Sequence, residues 1–159
     1  MGLVIKDGTI VTAKDTYKAD ILVEGEIVTK IAEKIEPDDG DSVVDARGKY
    51  VFPGGIDVHT HFELPFMGTV SADDFETGSR AAIFGGTTTF IDFVIPQKGQ
   101  SLVDALALWK EKAKKAVADY GFHMAITEYT DSVAKEIPKV IEDGITSFKC
   151  FLAYKGHLQ

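Results

Sequence analysis

At Pro53-Gly54-Gly55 the rhythm of the chain changes, and that change limits the fold more than any other feature. Beyond it, short apolar runs alternate with stretches of helical periodicity, the pattern of a parallel sheet with crossover helices. Ile56 to His61 reads as a strand. Ser71 stands as N-cap of a helix with Asp73 and Asp74 in its first turn, and Gly85-Gly86 stops it. Thr87 to Ile95 is a second strand, closed by Pro96. Ser101 caps a longer helix with Leu102, Ala105, Leu106, Trp109, Ala113 and Val117 on its apolar side, ending near Gly121. Phe122 to Thr127 is the third strand, Asp131 to Asp143 a helix kinked or restarted at Pro138, and Ile145 to Ala153 the fourth strand. An eight-stranded barrel needs about 200 to 250 residues. With 159 residues, the expected fold is α/β, the first half of a (β/α)8 TIM-like barrel, and the chain reads as the N-terminal part of a longer protein. A complete small open α/β sheet is the alternative.

Residues 1–52 are patterned differently. Leu3-Val4-Ile5, Thr9 to Thr12, Ala19 to Val23, Glu26 to Ile31 and Val43 to Ala46 are short β-branched runs. Lys6-Asp7-Gly8, Glu24-Gly25 and Arg47-Gly48 supply turns, so a small antiparallel sheet joined by hairpins is expected. Two domains follow, 1–52 and 53–159. The acidic run Glu36 to Asp41 is assigned only to solubility. A net charge of −8, without a Lys/Arg cluster, argues against a nucleic-acid surface. No apolar run approaches the ~18 to 20 residues of a membrane span, and Met1 to Lys6 lacks the features of a secretory leader. The default expectation is a cytoplasmic protein. Cys150, the single cysteine, excludes an internal disulfide.

Two features carry chemistry. His59 and His61 lie at i and i+2 near the end of the first barrel strand, where alternation points both imidazoles to one side. Neutral imidazole is the commonest protein ligand for zinc and related metals. A surface or hydrogen-bonded pair is the other reading. Lys149 lies inside the otherwise apolar strand run Thr146 to Tyr154, where an ammonium must be paired, neutralised or chemically altered. Pairing with Asp57 or Asp92 is one solution. Either aspartate could instead orient an imidazole. His123 reads as packed or hydrogen-bonded, His157 as a surface residue, and Cys150 as core packing turned away from Lys149.

Gly54 to His61 followed by Glu63 to Thr69, then Gly85 to Phe93, then Gly144 to Tyr154, taken in order, resemble the cyclic amidohydrolases, in particular the dihydropyrimidinase and D-hydantoinase group. The resemblance implies a composite enzyme: a barrel, and an N-terminal sheet that belongs to a β-sandwich domain. It implies two divalent metal ions, zinc being expected, with His59 and His61 on the more buried ion and an N6-carboxylated Lys149 bridging both. Such ions would acidify a bridging water and polarise the ring carbonyl of a dihydropyrimidine or 5-monosubstituted hydantoin, giving an N-carbamoyl amino acid. Tyr154 is implied as the group that binds substrate and stabilises the oxyanion, while Leu64, Phe66 and Phe151 fall where the family lines its pocket. The remaining family ligands, two histidines and an aspartate, have no counterpart before Gln159, so this stretch alone is expected to be inactive. A homodimer or homotetramer is implied, acting on a small cyclic ureide or imide. The competing readings are a dihydroorotase or allantoinase type of enzyme, which the apolar Leu64-Pro65-Phe66-Met67 disfavours, and a non-catalytic scaffold, which the joint presence of His59, His61 and Lys149 disfavours.

Overall fold

The structure, a computed structural model, describes residues 1–66 and 68–153. The chain divides into two compact units, Met1–Pro53 and a second from Gly54 onward. In the first, β1 (Gly2–Val11), β2 (Thr16–Glu24) and β3 (Ile27–Ala32) are antiparallel neighbours, whereas β4 (Ser42–Asp45) and β5 (Tyr50–Val51) both run parallel to β1. The sheet is therefore mixed, not antiparallel throughout. Residues 33–41 carry the chain from β3 to the far side of β1, and β4 sets out in the same direction as β1. Arg47-Gly48 is accordingly not a hairpin turn.

Lys6-Asp7-Gly8 is not a hairpin turn either. It is an irregularity inside one continuous β1, with the register shifting between Ile5 and Gly8 and Asp7 at φ 59°. The buried Asp20 carboxylate accepts from Asp7 N at 2.7 Å and Ile35 N at 2.9 Å, and pairs with Lys6 Nζ at 3.3 Å. Burial raises the pKa of this carboxyl, but those donors outweigh it and hold the group below its ordinary value. Asp41, in the acidic run, does more than keep the chain soluble, because its Oδ1 accepts from Gly2 N at 2.6 Å and pins the start of β1.

The second unit begins with β6 (Gly55–Thr60), a small hairpin of β7 (Pro65–Phe66) and β8 (Thr69–Val70), and α1 (Phe75–Phe84). It continues through β9 (Thr87–Val94), α2 (Leu102–Ala113), β10 (Asp119–Ile126), α3 (Asp131–Glu142) and β11 (Phe148–Cys150). The four strands β6, β9, β10 and β11 are parallel and lie side by side in chain order. This is the arrangement expected of a barrel half. Several boundaries differ from the sequence reading. Asp74, not Ser71, caps α1 through Thr77 N and a reciprocal bond from Asp74 N to the Thr77 hydroxyl. Ser71 instead accepts from Leu64 N at 2.8 Å. Helix α2 ends at Ala113 and leaves Val117 exposed, so β10 starts three residues earlier than Phe122. Strand β11 spans three residues where nine were expected.

The core of this unit packs the helices on the sheet through Phe75, Phe90, Leu106, Trp109, Met124 and Val140. Burial of each large apolar side chain contributes roughly 1.5 to 3 kcal/mol. Helix α1 approaches the segment after β6 so closely that a Cβ on Gly78 would lie 2.1 Å from Phe62 Cε1. Among the described residues no helix is long and apolar enough to cross a membrane.

Candidate functional site

The histidine pair sits on an irregular strand end. Pairing of β6 with β9 steps from Asp57↔Phe90 to Thr60↔Asp92, so three residues advance on β6 against two on β9. Val58 and His59 therefore occupy a bulge, a device that re-aims side chains at the rims of sheets. His61 lies just beyond the last residue of β6. Simple alternation along a regular strand is thus not the reason that the rings converge. They do converge: the ring centroids of His59 and His61 are 5.2 Å apart, and that of Phe93 lies 4.6 and 5.1 Å from them. The bulge also releases backbone groups from regular pairing. Asp57 Oδ1 accepts from His59 N at 3.0 Å, so this aspartate serves the backbone and, among the described residues, orients no imidazole.

Lys149 arrives from β11, where it pairs with Ala125 of β10. Its Nζ lies 3.5 Å from His59 Nε2, the outer limit of hydrogen-bond reach, and 4.3 and 5.0 Å from the ring centroids of Phe93 and Phe151. Among the described residues no carboxylate forms an ion pair with it, so neither Asp57 nor Asp92 takes the partner role that the sequence left open. The structure brings His59, His61 and Lys149 to one place.

His61 is half-buried, and its Nδ1 is a buried atom with no hydrogen-bond partner among the described residues. Burial, then the charge of Lys149 and then that of His59, push its pKa below the ordinary 6.5 and favour the neutral ring. A neutral imidazole with an orphaned nitrogen is in the state a metal ligand needs. Among the described residues no group of three or more His, Cys, Asp and Glu side chains gathers here. The donors present are two imidazoles and one amine. They fit a nitrogen- and oxygen-loving divalent ion such as zinc if the amine becomes a carbamate, because the ammonium itself would repel the cation.

Asp92 fastens the strand end from the opposite face of β9. It is 1% exposed; Oδ2 accepts from the Thr60 hydroxyl at 3.0 Å and from Phe62 N at 2.8 Å, and Oδ1 accepts from Trp109 Nε1 at 3.2 Å. Burial pushes its pKa up to about 6, and the hydrogen bonds from Phe62, Thr60 and Trp109 offset only part of that rise. Thr60 and Phe62 flank His61, so Asp92 grips the chain on both sides of that residue and does not touch its ring.

Beyond His61 the chain forms one wall of a cavity of about 280 Å³, lined by Leu64, Pro65, Phe66, Ile95 and Phe151 with His61 and Lys149 at its polar end. Leu64, Phe66 and Phe151 were expected at such a wall. Ile95 and Phe93 were missed, although the period-2 pattern Ile91, Phe93, Ile95 marks one face of β9 and its exit. Ser71 holds Leu64 N, and Lys112 Nζ donates to Glu63 O at 3.2 Å, so the wall is anchored to both flanking elements. Cys150 is exposed among the described residues, where packing in the core was expected. Tyr154, expected to bind substrate, and His157, expected at the surface, lie outside the described residues.

The amidohydrolase family profile matches residues 50–157. The chain is 55% identical to a D-hydantoinase of Geobacillus stearothermophilus across its whole length, covering 34% of that protein. It is 52% identical to a dihydropyrimidinase of Dictyostelium discoideum over 97% of this chain and 31% of that one. Among solved structures, dihydropyrimidinase from Brevibacillus agri superposes with a TM-score of 0.95 at 50% identity, over 100% of this chain and 35% of that one. A dihydroorotase shares the fold alone, with a TM-score of 0.64 at 12% identity over 94% of this chain and 42% of that one. The chain thus spans about a third of the length of the curated relatives it matches, and its second unit has the strand and helix order of the first half of their barrel. By profile, sequence and fold, the chain belongs to the amidohydrolase family.

Proposed function

We propose that the protein to which this chain contributes opens the ring of a dihydropyrimidine or 5-monosubstituted hydantoin by hydrolysis of its cyclic amide bond, releasing an N-carbamoyl amino acid. The observation that carries this reading is the convergence of His59, His61 and Lys149 beside a cavity with an apolar wall. The names of the relatives at 52 to 55% identity support the choice of ring.

In this reading His59, His61 and an N6-carboxylated Lys149 would hold two divalent ions, zinc in the first instance. The free amine of Lys149 attacks carbon dioxide, forms an N–C bond and releases a proton, leaving an anionic carbamate with two oxygens. When bound, the ions supply an acidified water and polarise the scissile carbonyl. The chain's own residues do the rest. Phe93 braces both imidazoles, and Asp57 and Asp92 hold the backbone that carries them. Leu64, Phe66 and Phe151 receive the exocyclic substituent and exclude water from it. Tyr154 stabilises negative charge that develops on the carbonyl oxygen. The low polarity of this wall favours a 5-alkyl or 5-aryl substituent over the carboxylate of dihydroorotate. A cytoplasmic homodimer or homotetramer completes the reading.

The test is metal content together with carbamate detection on the full-length protein, purified without chelators in 13C-bicarbonate. Two transition-metal ions per chain and a carbamate carbon signal that Lys149→Arg abolishes are expected. Metal-free protein that opens hydantoin at the rate of the metal-loaded form would sink the proposal.

A further inference from the structure

His123 has no place among the ligands assigned above, yet it touches both strands that carry them. It lies on β10, and its ring packs against Phe93 with centroids 4.7 Å apart and planes tilted by 34°. Nε2 lies 3.0 Å from the carbonyl oxygen of Val58, and Nδ1 contacts the hydroxyl of Ser147. A carbonyl only accepts, so Nε2 carries the proton and donates, and Nδ1 accepts from the serine. Val58 immediately precedes His59. Ser147 precedes Lys149 by two residues, at the entrance to β11.

The reason for this contact is the bulge. The register of β6 on β9 skips Val58 and His59. The backbone groups so released lie on an exposed stretch, and side chains take up two of them. Asp57 takes the N–H of His59. His123 takes the carbonyl of Val58, reaching over Phe93 from two strands away. We infer that His123 is a positioning residue, a strut that ties the bulge bearing His59 to the strand bearing Lys149 and so sets the 3.5 Å approach of Lys149 Nζ to His59 Nε2.

This inference rests on the reading of His59, His61 and Lys149 as the metal-holding set. The strut acts through the backbone, so its loss loosens the ligand geometry without removing a ligand. Groups that orient metal ligands typically contribute about 10- to 100-fold to metal affinity.

The experiment uses the full-length protein with His123→Phe, which keeps a flat ring on Phe93 but makes neither hydrogen bond, and His123→Gln, which keeps a donor toward Val58. Zinc affinity is read by competition with a chromogenic chelator, kcat and KM with a cyclic ureide, and the folding of each metal-free variant by its urea midpoint. We expect His123→Phe to weaken zinc binding by about 10- to 100-fold, to lower kcat with little change in KM, and to keep a near-native urea midpoint. His123→Gln should recover most of the affinity. Unchanged zinc affinity in His123→Phe, or equal damage in His123→Gln, overturns the strut. Should His123→Phe fail to fold, Ser147→Ala removes only the link to the lysine strand; weakened zinc binding supports the strut and wild-type binding overturns it. A wild-type protein that binds no zinc would instead overturn the metal reading and this inference with it, whereas tight wild-type binding and an indifferent His123 overturn this inference alone.

Discussion

Asp92→Asn tests whether the carboxylate that grips both neighbours of His61 is an electrostatic burden at neutral pH. The carboxyl has its pKa raised from 3.8 to about 6, with burial as the main cause. A folded-state pKa above the unfolded value means that the folded chain holds the proton longer. Stability from this group is therefore complete below pH 3.8 and is lost as pH rises through about 6. Two units at 1.36 kcal/mol each give a total of about 3 kcal/mol, of which roughly 1 kcal/mol falls between pH 5 and pH 7. Asparagine does not titrate. Urea unfolding of the metal-free full-length protein at pH 5, 6 and 7 should therefore show wild type losing about 1 kcal/mol relative to Asp92→Asn across that interval. Working with metal-free protein keeps proton competition at the histidines out of the comparison. Parallel pH dependences, or wild type gaining on the variant as pH rises, would refute the reasoning, because either would mean that the hydrogen bonds from Thr60, Phe62 and Trp109 offset burial completely.

Three further outcomes follow from the same geometry. Trp109→Phe keeps most of the ring's packing but removes the donor to Asp92 Oδ1, and should destabilise by about 1 to 3 kcal/mol, more at pH 7 than at pH 5, as read by urea midpoints. Gly78→Ala puts a Cβ 2.1 Å from Phe62 Cε1, and overpacking of this kind should cost about 1 to 3 kcal/mol and raise KM through the displaced segment after His61. Phe66→Ala opens the cavity wall and should lower kcat/KM for a 5-aryl hydantoin by about 10-fold or more while sparing unsubstituted hydantoin; steady-state kinetics on the pair of substrates decides it.

The order of elements was legible because it depends on local signals. Ser101 caps α2, Gly85 and Gly144 follow helix ends, and the apolar positions Leu102, Ala105, Leu106, Trp109 and Ala113 are the buried ones. What the sequence concealed depends on partners distant in the chain. Nothing local says that Lys6-Asp7-Gly8 bulges instead of turning, because the decisive acceptor, Asp20, lies 13 residues away and meets Asp7 only once β1 and β2 have paired. Nothing local reveals that β4 and β5 run parallel to β1, since the direction of a strand is set by where the preceding loop crosses. The same limit applied to Asp57 and Asp92. Their spacing from the histidines suggested imidazole partners, and their oxygens are spent on backbone N–H groups, the Thr60 hydroxyl and the Trp109 indole instead.

The bulge at Val58-His59 explains why these polar groups collect where they do. On a regular strand the alternation of side chains alone would put the two imidazoles on one face, spaced by the pleat. An inserted residue breaks that spacing, moves His61 past the strand's end, and leaves backbone polar groups to be satisfied from elsewhere. Asp57 bonds the N–H of His59, His123 the carbonyl of Val58, and Asp92 the Thr60 hydroxyl and the N–H of Phe62, so the segment from Val58 to Phe62 is tied on both sides of each candidate ligand. A strand end held at so many points can keep two imidazoles in place while their ring nitrogens remain open to an ion. That rigidity is what a metal centre asks of its scaffold, since ligands fixed before binding lose little entropy when the ion arrives.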